Sequence, residues 1–280
     1  YKDEHQFELQ QMDLRWRNTC NFACVYCDSH FSSVWAQFEG VPDKMTNKAM
    51  DETFNFVEKN IKNLKTIYMA GGEPFLIKEN LKIIDLMQKE NPDLLLRINT
   101  NLSILTPKLY EQLKTFKNVH WIVSAESTGA KFNYIRWPGK YTTLIDNLKK
   151  IQHLPHKVTI NMTWNIFCAE NILEFIDDMI NHGVHPNQFV MNFVHDPIEQ
   201  SVLNITKEQR DALMGAVNQR KSKTSEKFFL FKVYEEMLDI LNRPLLDKHK
   251  TALHDALIDF DKKRKLNSKE IFPELYKEAF

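Results

Sequence analysis

Three of the four cysteines fall within one eight-residue segment, Cys20-Asn21-Phe22-Ala23-Cys24-Val25-Tyr26-Cys27, and this spacing constrains the chain more than any other feature. The pattern C-x3-C-x2-C follows directly on the first expected strand, Met12–Arg17. A disulfide framework spreads its cysteines along a chain, whereas thiols gathered in one short loop aim at one centre. Three thiolates bind three irons of a cubane cluster and leave the fourth iron open to a reactive molecule. A second arrangement uses the same residues. His30 lies three positions after Cys27, so Cys20, Cys24, Cys27 and His30 could close a tetrahedral zinc site. Structural zinc usually staples a small domain, while this loop opens a long α/β pattern that needs no staple.

That pattern is an alternation of short apolar runs with amphipathic segments. Strands are expected at Met12–Arg17, Thr66–Met69, Leu94–Asn99, His120–Ser124, Lys157–Trp164 and Phe189–Phe193, with helices near Asn47–Asn60, Lys78–Lys89, Pro107–Thr115, Tyr141–Gln152 and Ala169–Asn181. Gly183 is placed to end the last of these helices. Strands separated by helices imply parallel pairing through right-handed crossovers. Six such units predict an α/β fold of the partial (β/α)6 TIM-barrel type over residues 1–200. Residues 201–280 read as a helical C-terminal region packed on the barrel. Helices are expected at Thr206–Gln219, with Gln209 three positions after the capping Thr206, and at Phe228–Leu241, His249–Lys263 and Ser268–Tyr276. Lys221–Glu226 reads as a polar connector, and Phe228, Phe229 and Phe231 join Val233, Leu238 and Leu241 on a packing face. The run Asp261-Lys262-Lys263-Arg264-Lys265 reads as a solvated helix end.

Charge narrows the partners. Lys and Arg number 37 and Asp and Glu number 37, so no global positive field advertises a nucleic acid. No apolar run reaches the roughly 18–20 residues that span a bilayer. The opening Tyr1-Lys2-Asp3-Glu4 does not read as a signal peptide, and clustered thiols suit a reducing compartment, so a cytoplasmic location is expected.

A second constellation follows the second strand. Gly71-Gly72-Glu73-Pro74 is a turn in which paired glycines let a ligand approach the backbone, and Glu73 can accept a hydrogen bond from an ammonium group. Read alone, it is also an ordinary strand-to-helix turn. Polar residues recur at later strand ends: Asn99-Thr100-Asn101, then Ser124 and Glu126, then Asn165, with Arg136 in Tyr134-Ile135-Arg136-Trp137-Pro138-Gly139. Each has a reading as a cap or a solvated side chain. Their recurrence favours one shared site at the end of the barrel where such folds place chemistry.

The cysteine spacing, with aromatic Tyr26 before the last cysteine, resembles the signature of the radical S-adenosylmethionine (SAM) superfamily. Gly71-Gly72-Glu73-Pro74, about 44 residues beyond Cys27, is similar to that family's GGEP motif. The resemblance covers roughly residues 10–200. It implies one [4Fe–4S] cluster on Cys20, Cys24 and Cys27, whose open iron binds the amino and carboxylate groups of SAM. One electron then cleaves SAM to a 5′-deoxyadenosyl radical that takes hydrogen from a substrate.

The same resemblance implies site residues. Tyr26, Gly71, Gly72 and Glu73 belong to the cofactor site. Asn99 and Asn101 fall in a segment like the family's "TNG", with Leu102 in place of glycine. Ser124 and Glu126 hold the ribose or carboxylate, Arg136 pairs with the methionine carboxylate, and Asn165 reaches SAM. A flavodoxin or ferredoxin is the implied electron donor. Local likenesses at Cys27–Trp35, Tyr134–Gly139 and Asn192–Pro197 resemble the SPASM/twitch subgroup. Members of that subgroup often bind auxiliary clusters through C-terminal cysteines. Here residues 169–280 contain none, and Cys168 alone cannot build a four-thiolate cluster, so a single cluster is expected.

On the substrate side, Cys168 is a candidate hydrogen-atom donor, with a buried small hydrophobe as the alternative. His195 and Asp196 are candidates for substrate binding or proton transfer, and Trp35 for lining the pocket. Peptide, protein or small-molecule substrates stay open, as do a radical enzyme acting on a nucleotide and a non-catalytic zinc or iron–sulfur module.

Overall fold

The computed structural model describes residues 9–42, 47–246 and 249–277; Tyr1–Glu4 lies outside the described residues. Six strands form one sheet in chain order: β1 (Gln11–Leu14), β2 (Thr66–Met69), β3 (Leu95–Thr100), β4 (Val119–Ser124), β5 (Lys157–Trp164) and β6 (Phe189–Phe193). Pairing is parallel at β1–β2, β2–β3 and β5–β6. Parallel neighbours need a crossover between them, and helices supply it. This is the expected α/β fold of the partial (β/α)6 TIM-barrel type, and the helical C-terminal region is present. Contacts divide the chain into two compact units.

The first unit comprises Asp28–Ile122 and Lys150–Val158 together with the described residues of Tyr1–Asn21. It holds α1 (Ser33–Glu39), α2 (Asn47–Asn60), α3 (Lys78–Glu90) and α4 (Pro107–Lys114). Strand alternation gives its sheet two unlike faces. Leu14, Ile67, Met69, Leu96 and Ile98 are buried, while Asp13, Tyr68 and Arg97 alternate with them on a polar face. Tyr68 lies opposite Asp13 on one side and Arg97 on the other. Ile83, Ile84 and Met87 of α3 belong to the core, each burial contributing about 1.5–3 kcal/mol. β1 ends at Leu14, three residues short of the expected limit. Helix α1 is not anticipated by periodicity, since it has only seven residues; it is bounded by a Ser32 cap and by Gly40 at φ 68°.

The second unit comprises Phe22–Cys27, Val123–Lys149 and the described residues from Thr159 onward. It contains α5 (Gly129–Ile135), α6 (Tyr141–Gln152) as far as Lys149, α7 (Ile172–Asn181), α8 (Lys207–Lys223), α9 (Phe229–Leu241), α10 (Lys250–Arg264), α11 (Ser268–Ile271) and α12 (Pro273–Lys277). Gly183, at φ 86°, ends α7 as expected: its N–H bonds to Ile180 O and that of Val184 to Met179 O. The Thr206–Gln209 capping box is formed.

Three local expectations need correction. Helix α8 runs to Lys223 and absorbs the start of the polar connector. On α9 the buried set is Leu230, Val233, Tyr234, Met237, Ile240 and Leu241, while Phe229, the first residue of the helix and at the edge of that face, is 56% exposed. The basic run is not wholly solvated. Arg264 is buried and donates to Tyr134 O, while Asp261, three residues earlier on the same face, accepts from Tyr134 Oη.

Candidate active site

The cysteine loop is fixed mainly through its backbone. In the first unit Ser33 Oγ accepts from Cys20 N and donates to Cys20 O, both at 3.1 Å. Ser33 N in turn donates to Asn18 O. In the second unit Ala23 N donates to Trp137 O (2.7 Å) and Val25 N to Ile135 O (2.9 Å). Cys27 N closes a turn on Cys24 O. The buried Gln200 donates through Nε2 to Val25 O at 2.8 Å. Gly139 packs so tightly that a Cβ there would lie 2.7 Å from the Phe22 ring and from Arg136 O. Cys20, Cys24 and Cys27 form no disulfide and are partly exposed. Among the described residues no group of three or more His, Cys, Asp or Glu side chains is disposed to hold a metal ion. His30 turns its imidazole, 76% exposed, toward Asp28 at 3.5 Å.

The Gly71-Gly72-Glu73-Pro74 turn is built against the residue before Cys20. Glu73 N donates to Thr19 O at 2.8 Å. Gly72, at φ 54°, sits where a Cβ would fall 2.0 Å from that same oxygen, so only glycine fits. Glu73 turns away from solvent. Its fully buried carboxylate accepts from Thr100 Oγ1 (2.8 and 3.0 Å), Asn101 N (2.9 Å) and Phe75 N (3.4 Å). Burial raises its pKa to about 7 despite those donors. The carboxylate expected to face an ammonium group therefore ties β2 to β3, and the partly exposed parts of the turn are Gly71 and Gly72.

Asn101 reaches back to the cysteine loop. Its Nδ2 donates to Asn21 Oδ1 (3.0 Å), and its Oδ1 accepts from Ser103 N and Oγ. Asn21 Nδ2 completes the ring on Ser103 Oγ (2.9 Å). Leu102 stands at φ 54°, in the left-handed region where the resembling motif has glycine. Asn99 and Ser124 are half-buried at their strand ends.

In the second unit Glu126 and Arg136 form a buried ion pair, with side chains 0% and 5% exposed. Arg136 Nε donates to both Glu126 oxygens at 2.9 and 3.1 Å, and Nη2 adds a further bond. Tyr26 Oη donates to Glu126 Oε2 at 3.1 Å, and its ring lies 5.6 Å from the Arg136 guanidinium carbon. Burial acts to lower the Arg136 pKa, but Glu126, Tyr26 and Cys24 together raise it, so the guanidinium stays charged. Arg136, expected to await a carboxylate, already has one in Glu126.

Asn165 and Cys168 share one turn. Asn165 Oδ1 accepts from Phe167 N, its Nδ2 donates to Thr163 O, and its own N–H points at Cys168 Sγ (3.4 Å). Cys168 is fully buried, its thiol pKa pushed well up by burial. Trp35 is buried within α1, edge-on to Phe38. His195 and Asp196 are exposed, and His195 borders a cleft with Glu235, Glu236 and Asp239. Sequence reasoning misses Asn21, Ser33, Ser103 and Gln200. Their types carry no signal beyond polarity; only their place beside the cysteines or motif strands could have drawn notice.

The family model of the radical SAM superfamily matches residues 16–195. A GTP 3′,8-cyclase of Campylobacter lari (strain RM2100 / D67 / ATCC BAA-1060) is 32% identical over 87 residues, 31% of this chain and 25% of that protein. A GTP 3′,8-cyclase of Nautilia profundicola (strain ATCC BAA-1463 / DSM 18972 / AmH) is 26% identical over 100 residues, 35% of this chain and 30% of that protein. The matches thus span no more than about a third of either relative. Among solved structures, anSMEcpe with bound AdoMet and Cp18Cys peptide gives a TM-score of 0.51 at 14% identity, covering 76% of this chain and 60% of that one. Streptococcus suis SuiB bound to precursor peptide SuiA gives 0.53 at 17%, covering 81% and 51%. At these identities the likeness is one of fold. The family match extends over more than half of the sequence and contains the cysteine loop, the GGEP turn and the strand-end residues, and the chain belongs to the radical SAM superfamily, enzymes that use a [4Fe–4S] cluster and S-adenosylmethionine.

Proposed function

We propose that this enzyme cleaves SAM reductively, with Cys20, Cys24 and Cys27 as ligands of one [4Fe–4S] cluster. The donor chemistry fits: three uncrosslinked, partly exposed thiols lie on a loop whose backbone is held at several points. When bound, cluster and SAM supply the electron and the 5′-deoxyadenosyl radical that takes hydrogen from the substrate. The protein's part is placement. The observation that carries this reading is the convergence on Thr19 and Asn21, the neighbours of Cys20. Glu73 N, the close approach of Gly72 and the Asn101 amide all act on those two residues.

Roles follow from what each group has left to offer. Gly71 and Gly72 present backbone to the SAM amino group, and Glu73 and Asn101 are positioning residues. A guanidinium has five N–H groups, so Arg136 keeps donors for the methionine carboxylate beyond those given to Glu126. Tyr26 and Glu126 hold Arg136 in that pose. Asn99 and Ser124 face SAM from their strand ends. Asn165 and Cys168 cap their own turn, which favours packing over hydrogen donation for the thiol. Trp35 is a core residue, and His195 and Asp196 remain on the substrate side.

The chain is read as a SPASM/twitch-like member without auxiliary clusters, with a barrel over residues 1–200, a helical region over 201–280, a cytoplasmic location and a flavodoxin or ferredoxin as electron donor. Two observations bear on the substrate: the local identity to GTP 3′,8-cyclases and the fold shared with SuiB bound to precursor peptide SuiA. Against the zinc alternative, His30 is exposed and its ring lies 3.5 Å from Asp28. Anaerobic reconstitution should give about four irons and four sulfides per chain. Dithionite and SAM should then release 5′-deoxyadenosine. Cys24→Ala should lose both, and tight zinc binding without SAM cleavage would falsify the proposal.

A further inference from the structure

Arg97 stands in the middle of β3, a strand with neighbours on both sides, and is exposed on the polar face of the first unit's sheet. Among the described residues its guanidinium has no carboxylate partner. It lies instead 5.4 Å from the centre of the Tyr68 ring, directly across the register. A second guanidinium, Arg15, lies 5.6 Å from the same ring centre. Asp13 holds Arg15 through Nε and Nη2, leaving its other N–H groups unclaimed by that carboxylate. Two like charges thus share one half-buried ring with a single counter-charge. Both guanidiniums are exposed and keep N–H donors that an anion could engage. Burial, aided by Lys157 and Arg97, depresses the His120 pKa to about 4.

The platform adjoins the cofactor motif. Arg15 also lines a cavity of about 280 Å³ together with Arg17, His30, Phe31 and Gly71 of the Gly-Gly turn. Arg97 and Asn99 lie on the same face of β3, one strand repeat of about 7 Å apart.

The geometry points to a phosphate-bearing small molecule as the substrate, its phosphate oxygens bound by Arg15 and Arg97 across Tyr68. This rests on the proposed radical chemistry, which requires a substrate beside the SAM motif. One peptide carboxylate needs one forked guanidinium; a phosphate, with a charge of about −1.5 to −2 and three acceptor oxygens, can engage two. The Tyr68 ring holds the two guanidiniums near one another, within reach of a single anion.

The test is calorimetric titration of the reconstituted protein, with SAM, using sodium tripolyphosphate and, separately, a hexaglutamate peptide. Tripolyphosphate should bind, and Arg97→Gln or Arg15→Gln should each weaken it about tenfold or more. Arg97→Lys keeps the charge but loses the fork, and should weaken binding by a smaller factor; it also serves if the glutamine variant misfolds. Lys117→Gln, which removes an exposed cation elsewhere in the unit, should bind as the parent does. Absence of tripolyphosphate binding, unchanged affinity in Arg97→Gln and Arg97→Lys, or hexaglutamate binding more tightly through the same arginines would each overturn the inference, the last in favour of an acidic peptide. 5′-Deoxyadenosine release by the parent protein is measured alongside. Release without tripolyphosphate binding rejects the phosphate assignment alone, and binding without release rejects the radical chemistry alone.

Discussion

At the scale of single residues, the site depends on two buried carboxylates with opposite electrostatic settings. Glu73 has hydrogen-bond donors but, among the described residues, no cation paired to it, and its pKa rises to about 7. A folded-state value above the ordinary one means the native protein binds this proton more tightly than the unfolded chain. The linked stabilisation is complete below the unfolded pKa and is lost as pH rises through about 7. Glu73→Gln cannot titrate. Urea unfolding at about pH 5, 6, 7 and 8 should therefore show the parent losing stability relative to Glu73→Gln with rising pH; parallel profiles would contradict this. Glu126 instead has a cation beside it, bound by Arg136 and Tyr26. Glu126→Gln leaves a buried guanidinium unpaired and should cost about 3–5 kcal/mol. Adding Arg136→Gln should cost less than the sum of the two single changes, which a double-mutant cycle by thermal unfolding would read directly.

At the scale of elements, the cysteine loop is clamped by segments distant in sequence. Residues 22–25 pair with 135–137, Gln200 reaches Val25, and α10 holds Tyr134 through Asp261 and Arg264. Gly139→Ala would press a methyl group onto the Phe22 ring and Arg136 O. One of those neighbours is backbone and cannot rotate away, so overpacking of about 1–3 kcal/mol falls on the clamp. Iron content after reconstitution should drop, and amide exchange over residues 22–27 should quicken; normal values for both would show the clamp to be dispensable. Legibility in the sequence divides along the same line. Period-two and period-3.6 patterns located all six strands and the main helices, and the Thr206–Gln209 and Gly183 caps were readable because each rests on local chemistry. Helix α1 was readable only through Ser32 and Gly40, for seven residues carry too little periodicity. Nothing local tells that Glu73 turns to Thr100 or that Arg264 turns to Tyr134. Those choices are made by partners 27 and 130 residues away.

At the scale of the whole molecule, the chain belongs to a family defined by its cofactors, and the order of its motifs along the sequence points to that family. The thiols, the Gly-Gly turn and the strand-end polar groups are proposed as a set because barrel folds place chemistry at successive strand ends. Their individual duties are not legible in the sequence, since burial and pairing decide whether a polar group faces a ligand or a neighbour. The proposed centre is a cubane with one iron left for the SAM amino and carboxylate groups. Electron–nuclear double resonance of the reduced, reconstituted protein with SAM labelled with ¹⁵N at its amino group addresses that most directly. A nitrogen coupling typical of direct ligation to the cluster is predicted; a reduced cluster that shows no such coupling with SAM bound would contradict it.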